Sequence, residues 1–323
     1  MRTALLALAI ALGYGPAGAA PVATDITAQG PLGLLRGTML TPDGTARPPV
    51  ALILPGSGPT DRDGNSPLGV HADTYRLLAE ALAAKGIASV RIDKRGIGAS
   101  RDAVADVNNA TIGAYAADTG NWIGEIRQRT GAACVWLIGH SEGGLIALDV
   151  ARRAPDVCGL VLIATPGRPV GELMADQLRA DPASAPFLAD ALTAIDTLSA
   201  GGIYDVTGKP PAIATLFAPQ IQPYLIDLFR RDPAHLISHY QGPVLIVQGE
   251  SDLQVSVDDA YALKDADAQA VLRLFPGVNH VLKTAVGADR AANLATYAAP
   301  GLPLAPGVAQ TIADFILMEG VEE

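Results

Sequence analysis

Basic residues are scarce in this 323-residue chain: lysine and arginine number 23 against 33 aspartates and glutamates, a formal net charge of −10. No basic stripe is visible, and binding nucleic acid through its phosphates needs clustered Lys and Arg. That class of partner is excluded. The apolar run from Ala4 to Leu12 is too short to anchor the chain in a bilayer. Only two cysteines occur, Cys134 and Cys158, and only five histidines. The acids of Asp61-Arg62-Asp63 have no His or Cys at ligand spacing, and they lack the regular alternation of a calcium loop. The chain is therefore expected to need no metal and no cofactor. Internal repeats and low-complexity linkers are absent as well.

What is present fits a packed globule. A hydrophobic fraction of 49% with 17% charged residues allows one large domain, or one domain carrying an insertion. Met1-Arg2, the apolar stretch from Ala4 and the small residues Ala17-Gly18-Ala19-Ala20 have the layout of an export signal. The expectation is a signal peptide over residues 1–20, cleaved near Ala19 or Ala20, and a periplasmic or secreted protein. No cysteine stands at the junction to take a lipid.

Strands alternate with helices along the chain. Ile26 to Gln29 and Leu34 to Leu40 read as a hairpin around Gly30-Pro31-Leu32-Gly33. Val50 to Leu54, Ala88 to Ile92, Val135 to Ile138 and Gly159 to Ala164 read as buried strands, their apolar runs covered on both faces. Thr74 to Ala84, Ile112 to Gln128 and Leu145 to Arg153 read as helices. This alternation predicts an α/β fold, with a mostly parallel central sheet flanked by helices. It stops between residues 165 and 242, which read as a helical cap insertion. The strand Val244 to Val247, a helix from Val257 to Lys264, the strand Ala270 to Phe275 and a helix from Val308 to Glu319 resume it. Residues 21–164 and 243–323 then form the core. Cys134 and Cys158 precede neighbouring strands at the same end of the sheet, opposite the serine described next. They are expected either to form a disulfide or to remain two buried thiols, and neither looks catalytic.

Gly139-His140-Ser141-Glu142-Gly143 joins a strand to a helix, the setting of a nucleophile elbow. Ser141 then needs a general base. His140 sits inside the elbow, His71 precedes the serine, and His235 and His239 lie in the insertion. His280 follows the last strand, where reactive groups of an α/β sheet collect. It is the expected base. Asp252, just beyond the strand Val244 to Val247, is the expected orienting carboxylate, with Glu250 and Asp258 as competitors. The oxyanion is expected to rest on the backbone N–H groups of Ser57 and Glu142.

Together, Pro55-Gly56-Ser57-Gly58-Pro59-Thr60-Asp61-Arg62-Asp63-Gly64-Asn65, Asp93-Lys94-Arg95-Gly96-Ile97-Gly98 and Gly139-His140-Ser141-Glu142-Gly143 resemble the α/β-hydrolase superfamily over nearly the whole mature length. Within it they are similar to bacterial carboxylesterases of the serine-aminopeptidase-like or lysophospholipase-like group. The chain departs from the superfamily's common His-Gly oxyanion block, with Pro55 where His often stands. The resemblance implies a serine carboxylesterase acting on a small-molecule ester of short to medium acyl length. A peptidase with the same triad is the rival, with Glu172 and Asp176 available to hold an amine, and a non-catalytic binding scaffold is a more distant one. Asp61-Arg62-Asp63, Asp93 and Arg95 are expected to brace loops rather than touch substrate.

Overall fold

The computed structural model describes residues 20–285 and 289–320, so the expected signal peptide lies outside the described residues save for Ala20. Strand β1 (Val22–Gln29) pairs antiparallel with β2 (Leu34–Thr41), closing the expected hairpin. In chain order there follow β3 (Val50–Leu54), the two-residue strands β4 (Asn65–Ser66) and β5 (Val70–His71), α1 (Thr74–Ala83) and β6 (Ala88–Ile92). Next come α2 (Ile112–Thr130), β7 (Val135–His140), α3 (Glu142–Ala151) and β8 (Val157–Ile163). After a helical segment, β9 (Val244–Gly249), α9 (Val257–Ala266), β10 (Val271–Phe275), α10 (Arg290–Ala295) and α11 (Val308–Glu319) complete the described chain. The eight-stranded sheet runs β1-β2-β6-β3-β7-β8-β9-β10, and only the β1–β2 and β2–β6 pairings are antiparallel.

Side chains alternate across a strand, so each apolar run feeds two cores. Val50, Leu52 and Leu54 of β3 face one cluster, with Trp122 and Ile126 of α2 and Leu145 and Leu148 of α3. Ala51 and Ile53 face the other, with Leu78 and Leu82 of α1 and Ile312 and Ile316 of α11. Local signals set helix limits. The Thr111 side chain accepts the Ala114 N–H at the start of α2, and Gly131, at φ 73°, ends it. Reciprocal Ser256 and Asp259 contacts open α9.

Residues 165–242 contain α4 (Val170–Ala180), α5 (Leu188–Ser199), α6 (Pro211–Leu216), α7 (Gln222–Phe229) and α8 (Pro233–Ile237), and no strand among the described residues. Ile195, Leu198, Phe217, Leu228 and Phe229 join the same apolar cluster as α2 and α3, which places this segment on that side of the sheet. Among the described residues no helix is long and apolar enough to cross a membrane.

Several element limits differ from expectation: β1 starts at Val22 rather than Ile26, and β9 runs on to Gly249. Helix α3 starts at Glu142 rather than Leu145, because the elbow turns the chain within one residue. The ribbon β4–β5 interrupts a stretch that reads as irregular loop. Cys134 and Cys158 are bonded, with α-carbons 5.1 Å apart at the starts of β7 and β8. The β7–β8 register slips by one residue between Val135 and Trp136, opposite Cys158, and the bridge staples the sheet at that irregularity.

Candidate active site

The elbow is built by close approach. Ser141, between β7 and α3, holds φ 56° and ψ −121°, a conformation that a non-glycine residue keeps only when its surroundings impose it. Its N–H donates to the Ile163 carbonyl (2.8 Å) and its carbonyl accepts from Gly144 N–H (2.9 Å). Any Cβ at Gly143 would lie 2.2 Å from the Leu54 carbonyl oxygen, and one at Gly139 would lie 2.4 Å from the Gly143 oxygen. Both glycines are therefore steric requirements of the turn.

His280 and Asp252 arrive from the ends of β10 and β9. Nδ1 of His280 stands 2.7 Å from Oδ2 of Asp252. The other carboxylate oxygen, Oδ1, accepts the N–H groups of Gln254 (2.7 Å) and Val255 (3.1 Å). Burial pushes the Asp252 carboxyl up, but the His280 ring and these two amides outweigh it and hold it below its ordinary range. Since the carboxylate can only accept, Nδ1 carries a proton and Nε2 is left for chemistry. Ser141 and His280 line one pocket of about 230 Å³. Within it the Ser141 hydroxyl has no hydrogen-bond partner among the described residues. The competing acids Glu250 and Asp258 are exposed, and His235 and His239 lie against each other, ring centres 4.4 Å apart and planes tilted by 52°.

The loop after β3 passes against the elbow: a Cβ on Gly56 would sit 3.3 Å from Ser141 Cβ. The Gly56 N–H donates to the Tyr75 hydroxyl (3.0 Å), so it is not offered to a ligand. The Gly56 carbonyl accepts from Lys94 Nζ (2.7 Å). With no cis peptide in the described chain, the Ser57 N–H must point away from that carbonyl and from Lys94. Among the described residues the Ser57 and Glu142 amides have no acceptor, so both are free to donate to a bound group.

Several known proteins resemble this chain. The sequence model of the family described as Serine aminopeptidase, S33, matches residues 67–195. The chain is 28% identical over 271 residues to Esterase EstD of Thermotoga maritima, a match covering 81% of this chain and about 60% of the relative's length. Est1E from Butyrivibrio proteoclasticus superposes with a TM-score of 0.57 at 15% identity, over 92% of this chain and 99% of the other. The α/β hydrolase GrgF from Penicillium sp. sh18 superposes with a TM-score of 0.56 at 18% identity, over 80% and 91% respectively. This chain has the α/β-hydrolase fold.

Side-chain contacts between distant segments tie this α/β-hydrolase site together. Tyr75 of α1 places its hydroxyl 2.8 Å from His140 Nδ1, and His140 Nε2 lies 2.8 Å from the His280 carbonyl. A carbonyl only accepts, so Nε2 carries the His140 proton and Nδ1 accepts from Tyr75. One chain of hydrogen bonds thus joins the loop after β3, the elbow and the His280 loop. Burial, with the nearby His280 ring, lowers the His140 pKa to about 3, so the ring stays neutral in this role. Lys94 Nζ also binds Glu142 Oε1 (2.9 Å), with each side chain only 4% exposed. The second Glu142 oxygen accepts from the Tyr224 hydroxyl of α7.

The loop acids and arginines are occupied among themselves. Arg62 binds Asp93 through its side chain (2.7 Å) and its backbone N–H (2.8 Å), and Arg95 binds Asp118 (2.6 Å). Asp176 pairs with Arg168 and Arg179, Glu172 is exposed, and neither lines the Ser141 pocket. A larger hollow of about 700 Å³ lies at the opposite end of the sheet, beside the disulfide and away from these groups.

Two outcomes test this wiring. Lys94→Met leaves Glu142 buried without its counter-charge, and stability should fall by about 3–5 kcal/mol. Adding Glu142→Gln should restore much of that loss in urea unfolding. The turnover defect, about 10²–10³-fold, should remain, because the Gly56 carbonyl is still unheld. Full recovery of both would contradict Lys94's hold on the loop after β3. The second outcome concerns pH. The folded His140 pKa lies below the unfolded value of 6.5, so the unfolded chain binds more protons between about 3 and 6.5. Its stabilisation is complete above 6.5 and lost as pH falls toward 3. The Tm advantage of wild type over His140→Gln should therefore shrink from pH 7 to pH 4, and a constant difference would contradict it.

Proposed function

We propose that this chain is a serine carboxylesterase that cleaves esters of short to medium acyl length through an acyl-enzyme on Ser141. The observation that carries this reading is the convergence at one pocket of Ser141, strained outward on its elbow, and His280, whose Nδ1 is held by Asp252. His280 Nε2 removes the Ser141 hydroxyl proton as Oγ bonds to the ester carbonyl carbon. The oxygen that becomes negative rests on the Ser57 and Glu142 N–H groups. The intermediate collapses, the C–O bond to the alcohol breaks, and the alcohol leaves with the proton from His280. Water then gives a proton to His280 and attacks the acyl carbon. Carboxylic acid leaves, and Ser141 recovers its proton. Asp252 steadies the imidazolium throughout. The catalytic Ser–His hydrogen bond tightens in the substrate complex.

Similarity to Esterase EstD supports the ester assignment. The family description, serine aminopeptidase, favours the rival reading of an amide-cleaving enzyme. Against it, an aminopeptidase needs a carboxylate facing the α-amino group, and the acids nearest in sequence to that role are paired or exposed. The helical segment 165–242 acts in this reading as a cap over the site. Export is proposed too, supported by the layout of residues 1–20 and by the Cys134–Cys158 bond, which persists in oxidising compartments. Recovery of the intact, reduced chain from cytosol alone would contradict export.

The decisive assay compares p-nitrophenyl esters of increasing acyl length with aminoacyl p-nitroanilides, using wild type and Ser141→Ala. Ester hydrolysis should dominate and fall by about 10⁴–10⁶-fold in the variant. Ser141-dependent anilide cleavage exceeding ester cleavage would move the assignment to a peptidase, and activity surviving the substitution would dismiss Ser141.

A further inference from the structure

A second pocket, of about 400 Å³, lies beside the first. Gly58 and Pro59 line both, so the oxyanion loop forms the partition between them. Glu142, the residue after Ser141, and Lys94, which holds Gly56, line only the second. Because His280 must protonate the leaving alcohol, the alcohol belongs on the side that His280 lines, in the 230 Å³ pocket. The acyl half of an ester attacked at Ser141 then extends to the other side of the partition.

The chemistry of that second pocket selects what enters. Its charged groups, Lys94 and Glu142, neutralise each other at 2.9 Å. Tyr224 donates to the other Glu142 oxygen, and Lys94 Nζ also binds the Gly56 carbonyl and stands 4.8 Å from the centre of the Tyr115 ring. No charge is left uncompensated there, so an ionic acyl group would lose its hydration without gaining a partner. Ile97, Val107 and Ile221 supply apolar walls, and Tyr115 and Tyr224 supply aromatic ones. Tyr115 is only 8% exposed, yet its hydroxyl has no hydrogen-bond partner among the described residues and is not sealed from the pocket. The hydroxyl is therefore open to a polar atom of a bound group in place of water.

We propose that this pocket is the acyl subsite, and that it takes an uncharged aromatic acyl group whose polar substituent bonds to the Tyr115 hydroxyl. The inference rests on the esterase reading and specifies its substrate. Tyr115 and Ile221 are then specificity residues: one recognises the substituent, and the other sets the room available beneath α7.

The test measures kcat/KM for p-nitrophenyl acetate, benzoate and 4-hydroxybenzoate, and for methyl and benzyl acetate, with wild type, Tyr115→Phe and Ile221→Trp. Ile221→Trp should lower the benzoate-to-acetate ratio by about tenfold or more and leave the benzyl-to-methyl ratio within about twofold. Tyr115→Phe should lower the 4-hydroxybenzoate-to-benzoate ratio by about tenfold. This conservative change keeps the ring, so the second readout survives should Ile221→Trp fold poorly. A shift in the benzyl-to-methyl ratio, or acyl ratios unmoved by both variants while Ser141-dependent ester hydrolysis persists, would overturn the subsite. Absence of ester hydrolysis in wild type would instead remove the esterase reading itself.

Discussion

The contact on which the site depends is the one between the end of β3 and the start of α3. Gly143 lies so close to the Leu54 carbonyl that a single methyl group would collide with it. That approach makes the chain reverse within one residue after β7 and fixes Ser141 at a positive φ. It also sets Gly56, two residues beyond Leu54, directly against Ser141. The loop after β3, proposed to bind the oxyanion, and the candidate nucleophile are therefore positioned by the same packing event. Neither can shift without moving the other, which is what preorganised charge stabilisation requires.

Around this contact the protein arranges two sets of polar ties on opposite sides. On one, Tyr75 and His140 join the Gly56 amide to the His280 carbonyl, with both side chains buried and the imidazole neutral. On the other, Lys94 grips the Gly56 carbonyl and the Glu142 carboxylate, and Glu142 reaches Tyr224 of α7. The two peptide groups that meet at Gly56 are thus both held, the Pro55–Gly56 N–H from α1 and the Gly56–Ser57 carbonyl from the loop after β6, while the Ser57 N–H has no acceptor among the described residues. The second set also carries a contact from the helical segment to the residue beside Ser141. Movement of α7 would be felt beside Ser141 through a single carboxylate.

Much of this was legible in the sequence because it is written in local patterns. Buried strands appear as apolar runs such as Val50 to Leu54, and the elbow appears as glycines flanking Ser141. Chain order and strand ends bring His280 and Asp252 into register, and the structure places them 2.7 Å apart. Strand neighbours at one sheet end likewise pointed to the Cys134–Cys158 bond. What could not be read depends on contacts between distant segments. Tyr75 looks like a helix-core residue, and its hydroxyl meets a ring 65 positions away. Lys94 resembles an ordinary loop lysine until folding buries it against Glu142, 48 positions on. Glu142 was expected only as a backbone donor, and its side-chain partners, Lys94 after β6 and Tyr224 of α7, come from distant segments. A charged residue directly after the elbow serine, together with a lysine in the loop after β6, is the pairing that would have signalled the tie.

The central claim is that Ser141, activated by His280, is the nucleophile. Its most direct test is intact-mass and peptide analysis of the protein after exposure to a fluorophosphonate. The account predicts one adduct per chain, located on the peptide containing Ser141, with labelling at least about 10³-fold slower in His280→Ala. An adduct on another residue, or labelling at Ser141 that proceeds equally fast without His280, would contradict it.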